Sequence, residues 1–176
     1  MSRLPQLTGA PVLDQVKAQL GRVPNLYAAM ANGPAALTGY LALREHLQDG
    51  VLTPRLREQL ALLVAQENGC DYCVAAHTYR GEKLLKMTPA ELAATRHGDD
   101  ADPHAAAVLA VAREAVRAQG RVDDATLTAA RAAGVTDAEL AEIVAHVALN
   151  VLSNYFNHLA RPELDFPAAP ALEGAR

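Results

Sequence analysis

TPRLREQLALLVAQENGCDYCVAAH, residues 53–77, is the stretch on which the fold turns. Thr53-Pro54 is an N-cap residue followed by proline at the first helical position, where a missing N–H costs nothing. The predicted helix runs to about Glu67 and is apolar nearly all round: Leu60, Ala61, Leu62, Leu63, Val64, Ala65. A helix without a polar face belongs at the centre of a bundle. Asn68-Gly69 ends it, and a second helix starts at Cys70 or Asp71 and runs to about Leu85. If two helices joined by so short a break form an antiparallel hairpin, depth from the turn can be compared between them.

The rest of the chain is punctuated in the same way. Helices are predicted from Pro11 to Leu20, from Val23-Pro24-Asn25 to Met30, and from Pro34 to Gln48. Thr88-Pro89-Ala90-Glu91 and Thr136-Asp137-Ala138-Glu139 are capping boxes. The second opens the longest helix, to about Ala160, and two more are predicted from Asp102-Pro103 to Gln119 and from Asp123 to Ala133. A proline-containing extended arm follows over residues 161–176. The expectation is an all-α fold of eight or nine helices in a single domain spanning 1–176, with the Cys70–Cys73 helix at its centre.

Composition agrees. Apolar residues are 51% of the 176, and only 4% are aromatic. Small aliphatics suit close helix packing, whereas a sheet would call for more β-branched and aromatic residues. The net charge of −4, with no basic run, argues against nucleic acid as a partner. No stretch approaches the ~20 apolar residues that span a bilayer, so no membrane is expected. With two cysteines and no export signal at its start, the chain is expected in the cytoplasm, where a cysteine pair is redox-active or metal-binding rather than structural.

Cys70, Cys73 and His77 fall on one helix face, within about 60° of one another. Cys73 and His77 are i, i+4 neighbours, so the imidazole can take a thiol proton. Cys70, at the helix start, has the dipole and free N–H groups that favour a thiolate. The dipole thus favours Cys70 as the reactive thiol and His77 favours Cys73. A depth argument adds Glu58, which lies about as far before the hairpin turn as His77 lies after it. The resulting candidate relay is Glu58–His77–Cys73, with Cys70 as the second thiol.

Other readings of the same residues remain open. Cys70, Cys73 and His77 could be metal ligands of a binding or redox-sensing oligomer, or the cysteines could be inert small hydrophobes. Glu58 could simply complement a helix dipole, and Tyr72 and Tyr79 read as core or pocket wall. The last helix carries Glu142, His146, Asn150, Ser153 and Asn157 at spacings of three and four. That stripe is either a solvated face opposite Val144, Val147, Val151 and Leu152, or a buried seam at a subunit contact or near the thiols. His46, His97, His104 and His158 lack a partner pattern and are expected at the surface.

A glutamate, an apolar helix and then C-x-x-C-x-x-x-H, as in Glu58…Cys70-Asp71-Tyr72-Cys73…His77, resembles the alkylhydroperoxidase D-like branch of the carboxymuconolactone decarboxylase superfamily. The likeness is strongest over residues 52–97 and looser at Arg22–Leu26 and over 142–167. It implies a homotrimer or homohexamer that reduces small hydroperoxides with a dithiol, without flavin, haem or metal, and is recharged by a thiol or dithiol reductant. It further implies that Cys73 attacks the peroxide, Cys70 resolves the sulfenic acid to a disulfide, and His77 and Glu58 relay the proton. Tyr72 departs from the pattern, since a histidine precedes the second cysteine in the best-studied branch. The decarboxylase branch lacks the cysteine pair, which leaves muconolactone decarboxylation as the fallback.

Overall fold

The computed structural model describes residues 2–172. Among them are nine α-helices and no strand: α1 (Pro11–Leu20), α2 (Asn25–Met30), α3 (Pro34–His46), α4 (Pro54–Glu67), α5 (Asp71–Leu85), α6 (Pro89–Arg96), α7 (Pro103–Arg117), α8 (Asp124–Ala132) and α9 (Asp137–Ala160). The all-helical expectation holds. Proline stands in the first turn of α1, α3, α4, α6 and α7. Thr53, Thr88, Asp102, Asp123 and Thr136 cap α4, α6, α7, α8 and α9 by accepting backbone N–H groups, and both capping boxes are closed.

Helix α3 ends two residues before the expected Gln48, in a 3-10 turn over Leu47–Asp49. The reason lies on α9. Glu142 accepts the N–H groups of Val51 (2.7 Å) and Leu52 (3.1 Å), holding the chain in a sharp descent into α4. A Cβ on Gly50 would meet the Glu142 carboxylate, so a larger residue there would push that side chain aside.

Helix α4 is central, as its sequence predicts. It packs against α5, α6, α7 and α9, and Leu60, Leu62, Leu63, Val64 and Ala65 are essentially sealed from solvent. Two apolar clusters flank it. Leu56, Leu60 and Leu63 join residues of α7 and α9, whereas Leu62 and Ala65 join α1–α3 and the two cysteines. Each fully buried leucine contributes roughly 1.5–3 kcal/mol, so one helix anchors two cores. None of the described helices is long and apolar enough to cross a membrane.

Beyond α9 the arm is extended as expected over the described residues; its last four positions, 173–176, lie outside them, as does Met1. The arm crosses the start of α5. Asp165 pairs with Arg22 (3.1 Å) and accepts the Asn25 N–H (3.2 Å). Phe166 lies beneath the Arg22 guanidinium, 4.4 Å from its ring centre, and against Tyr72 and Tyr79.

Candidate dithiol site

The site begins at the α4–α5 turn. Gly69 takes a left-handed conformation (φ 64°), and the Cys70 N–H returns to the Ala65 carbonyl (2.9 Å). This closure reverses the chain within two residues. Cys70 is thereby the N-cap of α5, its sulfur accepting the Cys73 N–H at 3.3 Å. The two cysteines are joined as a disulfide. Both are buried, at 1% and 3% exposure.

One turn below Cys73 lies His77, and the hairpin brings Glu58 to it: His77 Nδ1 is 2.7 Å from Glu58 Oε1. Arg80, one further turn along α5, donates through Nε to both Glu58 oxygens, at 3.2 and 3.1 Å. Burial alone would raise the Glu58 carboxyl. The contacts with His77 and Arg80 outweigh that and hold it below the ordinary glutamate range. An ionised carboxylate only accepts hydrogen bonds, so Nδ1 of His77 carries a proton and Nε2 of the neutral ring is left as a base. Glu58 is no mere complement to the helix dipole. Arg80 was missed in the sequence, although its i, i+3 spacing from His77 places it on the same face.

The depth argument thus brings Glu58 to His77, but His77 does not complete the chain to sulfur. No hydrogen bond joins it to either cysteine among the described residues. The polar group at the sulfurs comes from α9: Asn157 Nδ2 donates to Cys73 Sγ at 3.1 Å and lies 3.8 Å from Cys70 Sγ.

Helix α9 overturns the solvated-face reading. His146, Asn150, Ser153 and Asn157 are buried, whereas Val144, Leu152, Tyr155 and Leu159 are exposed, Leu159 by 60%. The polar stripe faces inward because it lines a cavity and the sulfurs, and a strip of apolar residues on the other side is turned out. Burial pushes the His146 imidazole down, with Arg57 acting in the same direction and Glu142 against it. Its Nε2 and the Asn157 Oδ1 have no partner among the described residues.

Tyr72, in the position that departs from the family pattern, clamps the arm. Its hydroxyl donates to Asp165 Oδ1 (2.6 Å) and accepts the Leu26 N–H (3.2 Å). Burial, reinforced by Asp165, pushes its phenol well above the usual tyrosine range. One surface expectation also needs correction: His104 is half-buried and meets Glu139 at 3.1 Å, because α7 and α9 pack together there. His46, His97 and His158 are exposed.

A cavity of about 360 Å³ opens onto this constellation. Cys73, His77, Glu58 and Asn157 line it; Cys70 does not. The described residues contain no group of three or more His, Cys, Asp or Glu side chains arranged to hold a metal ion.

An all-helical chain with a C-x-x-C disulfide at a helix start, buried beside a Glu–His–Arg cluster, defines a helical dithiol protein. Residues 34–118 match the Carboxymuconolactone decarboxylase family, and the chain shares its fold with AhpD-core structures. An alkylhydroperoxidase AhpD core, a peroxidase-related protein from Ralstonia eutropha JMP134, is 26% identical, with a TM-score of 0.81 over 93% of this chain and 92% of that one. A peroxidase-related protein from Silicibacter sp. TM1040 is 21% identical, with a TM-score of 0.78 over 98% and 93% of the two chains. A variant of the debrominase Bmp8, in complex with 2,3,4-tribromopyrrole, shares the fold at 16% identity, with a TM-score of 0.79 over 94% and 92%. No curated protein matches the sequence significantly.

Proposed function

We propose that this chain is a dithiol hydroperoxide reductase in which Cys73 is the attacking thiol. The observation that carries the reading is that Cys73, and not Cys70, lines the cavity shared by His77 and Glu58. In the reduced protein His77 Nε2 takes the Cys73 proton, and Glu58 holds the imidazolium through Nδ1. The Cys73 thiolate attacks the outer peroxide oxygen, and the O–O bond breaks. The alkoxide leaves as alcohol with a proton from His77, and Cys73 becomes a sulfenic acid. Cys70 then attacks that sulfur, forming the disulfide and releasing water. A thiol or dithiol reductant returns the two electrons.

The Asn157 amide gives Cys73 a second advantage. A hydrogen bond to a charged group contributes roughly 1.5–3 kcal/mol, and this one strengthens as the sulfur becomes anionic. Asn157→Leu is expected to remove this donor and make the Cys73 thiolate harder to form. Oxidation at neutral pH then slows by about 10–100-fold and recovers at alkaline pH. A pH–rate profile that keeps its wild-type midpoint would remove Asn157 from this role.

The function itself is tested by counting thiols on the reduced protein before and after one equivalent of cumene hydroperoxide. Cys70 and Cys73 are the only cysteines, so the count reads the site directly. Rapid loss of both, reversed by a dithiol, is the expected result. If both stay free, the peroxidase reading fails.

A further inference from the structure

The cavity that reaches Cys73 carries a charge pattern opposite to that of the protein. The chain is net −4, yet three arginines, Arg44, Arg57 and Arg80, line the cavity against the single carboxylate of Glu58. Two of the three are committed. Arg80 is held by Glu58. Arg57 Nη1 donates to the carbonyls of Gln48 (2.7 Å) and Leu52 (3.1 Å), tying the α3–α4 connection. Arg44, half-buried on α3, has no hydrogen bond or ion pair among the described residues.

Its distance from the sulfur can be estimated from the helices. Asn157 touches Cys73, and Ser153 stands one turn before it on α9. The Tyr40 hydroxyl lies beside Ser153, and Arg44 is one turn beyond Tyr40 on α3. The two helices run antiparallel, since the chain just past α3 reaches Glu142 near the start of α9. Two turns place Arg44 about 11 Å from the level of the sulfur. Between these ends the wall is partly apolar, with Leu26, Leu149 and Phe166 contributing.

We infer that the cavity selects an amphipathic organic hydroperoxide whose carboxylate lies on Arg44 while its peroxide group meets Cys73, across an apolar spacer of about 11 Å. This inference rests on the peroxidase reading and names its substrate class. An unpaired guanidinium offers a planar fork of donors that matches a carboxylate. A neutral ester of the same length leaves that fork unsatisfied.

The test compares ω-hydroperoxydecanoate with its methyl ester in single-turnover oxidation of the reduced protein, followed by thiol loss. The wild type is expected to prefer the acid by about 10-fold or more in the second-order rate constant. Arg44→Met should bring the ratio close to one, and Arg44→Lys should restore part of it. A wild-type ratio near one, or a preference that survives Arg44→Met, overturns the inference. A second measurement needs no turnover: calorimetric binding of decanoate to the oxidised protein, expected to weaken by a similar factor in Arg44→Met. Failure of every hydroperoxide, cumene hydroperoxide included, to oxidise the thiols overturns the peroxidase reading instead. The decanoate measurement then still decides whether Arg44 is an anion site: binding lost with Arg44 sustains it, and binding that is absent or indifferent to Arg44 ends it.

Discussion

Cys73→Ala is expected to lose hydroperoxide reduction by about 10³-fold or more, because the nucleophile itself is gone. Cys70→Ala should behave differently. It retains the attacking thiol, so it should consume one equivalent of hydroperoxide and stop, with a sulfenic acid on Cys73 that a dimedone probe traps. The pair of variants separates attack from resolution, which the spacing of the two cysteines alone leaves undecided. The disulfide joins residues only three apart in sequence and lies inside the apolar cluster that holds Leu62 and Ala65, so the thermal midpoints of reduced wild type and both variants should agree closely. Dimedone labelling of Cys70 in Cys73→Ala, with activity retained, would reverse the assignment.

Glu58→Gln should damage both stability and chemistry. The substitution keeps the shape but removes the charge that meets His77 and Arg80. Breaking a buried ion pair costs roughly 3–5 kcal/mol; with Arg80 partly exposed, we expect about 2–3 kcal/mol at neutral pH. The effect has a defined pH dependence. The Glu58 carboxyl is lowered in the folded protein from its ordinary 4.5, so its contribution is fully present above that value. It is lost as the pH falls through the lower folded value. The stability gap between wild type and Glu58→Gln, read from urea titrations, should therefore be constant near neutrality and narrow in acid. Activity should fall by about 10²-fold, since His77 loses the partner that fixes its tautomer and holds its charge. An unchanged rate in a folded Glu58→Gln protein would remove the carboxylate from the relay.

The helices announce themselves because their ends are chemical events: proline in a first turn, a capping threonine, a left-handed glycine. Those signals are local, and a sequence displays local information directly. The Glu58–His77 contact came nearly as cheaply, since a two-residue turn fixes the register of a hairpin. Helix α9 shows where such reasoning stops. Its polar stripe leaves a solvated and a buried reading open, because hydrophobicity reports what prefers to leave water, and here a polar cavity claims the asparagines and histidine while Leu152 and Leu159 stay outside. Asn157 stood in the noted stripe, but nothing local says that it meets a sulfur across the fold. Arg44 carried no signal at all. It matters only because its two fellow arginines are already engaged, a fact of tertiary structure. Tyr72 is a similar case: its hydroxyl is explained by an aspartate far along the chain.

The 84 residues that separate Cys73 from Asn157 also set an order of events during synthesis. The hairpin bearing the dithiol leaves the ribosome early, carrying Glu58 and His77 with it. The amide that shields the sulfurs arrives only with the end of α9, and the Phe166 wall later still. Until then a nascent chain displays its C-x-x-C pair with one side open, available to any disulfide or oxidant it meets. Docking of α9 and of the Phe166 segment is the step that covers the pair on that side.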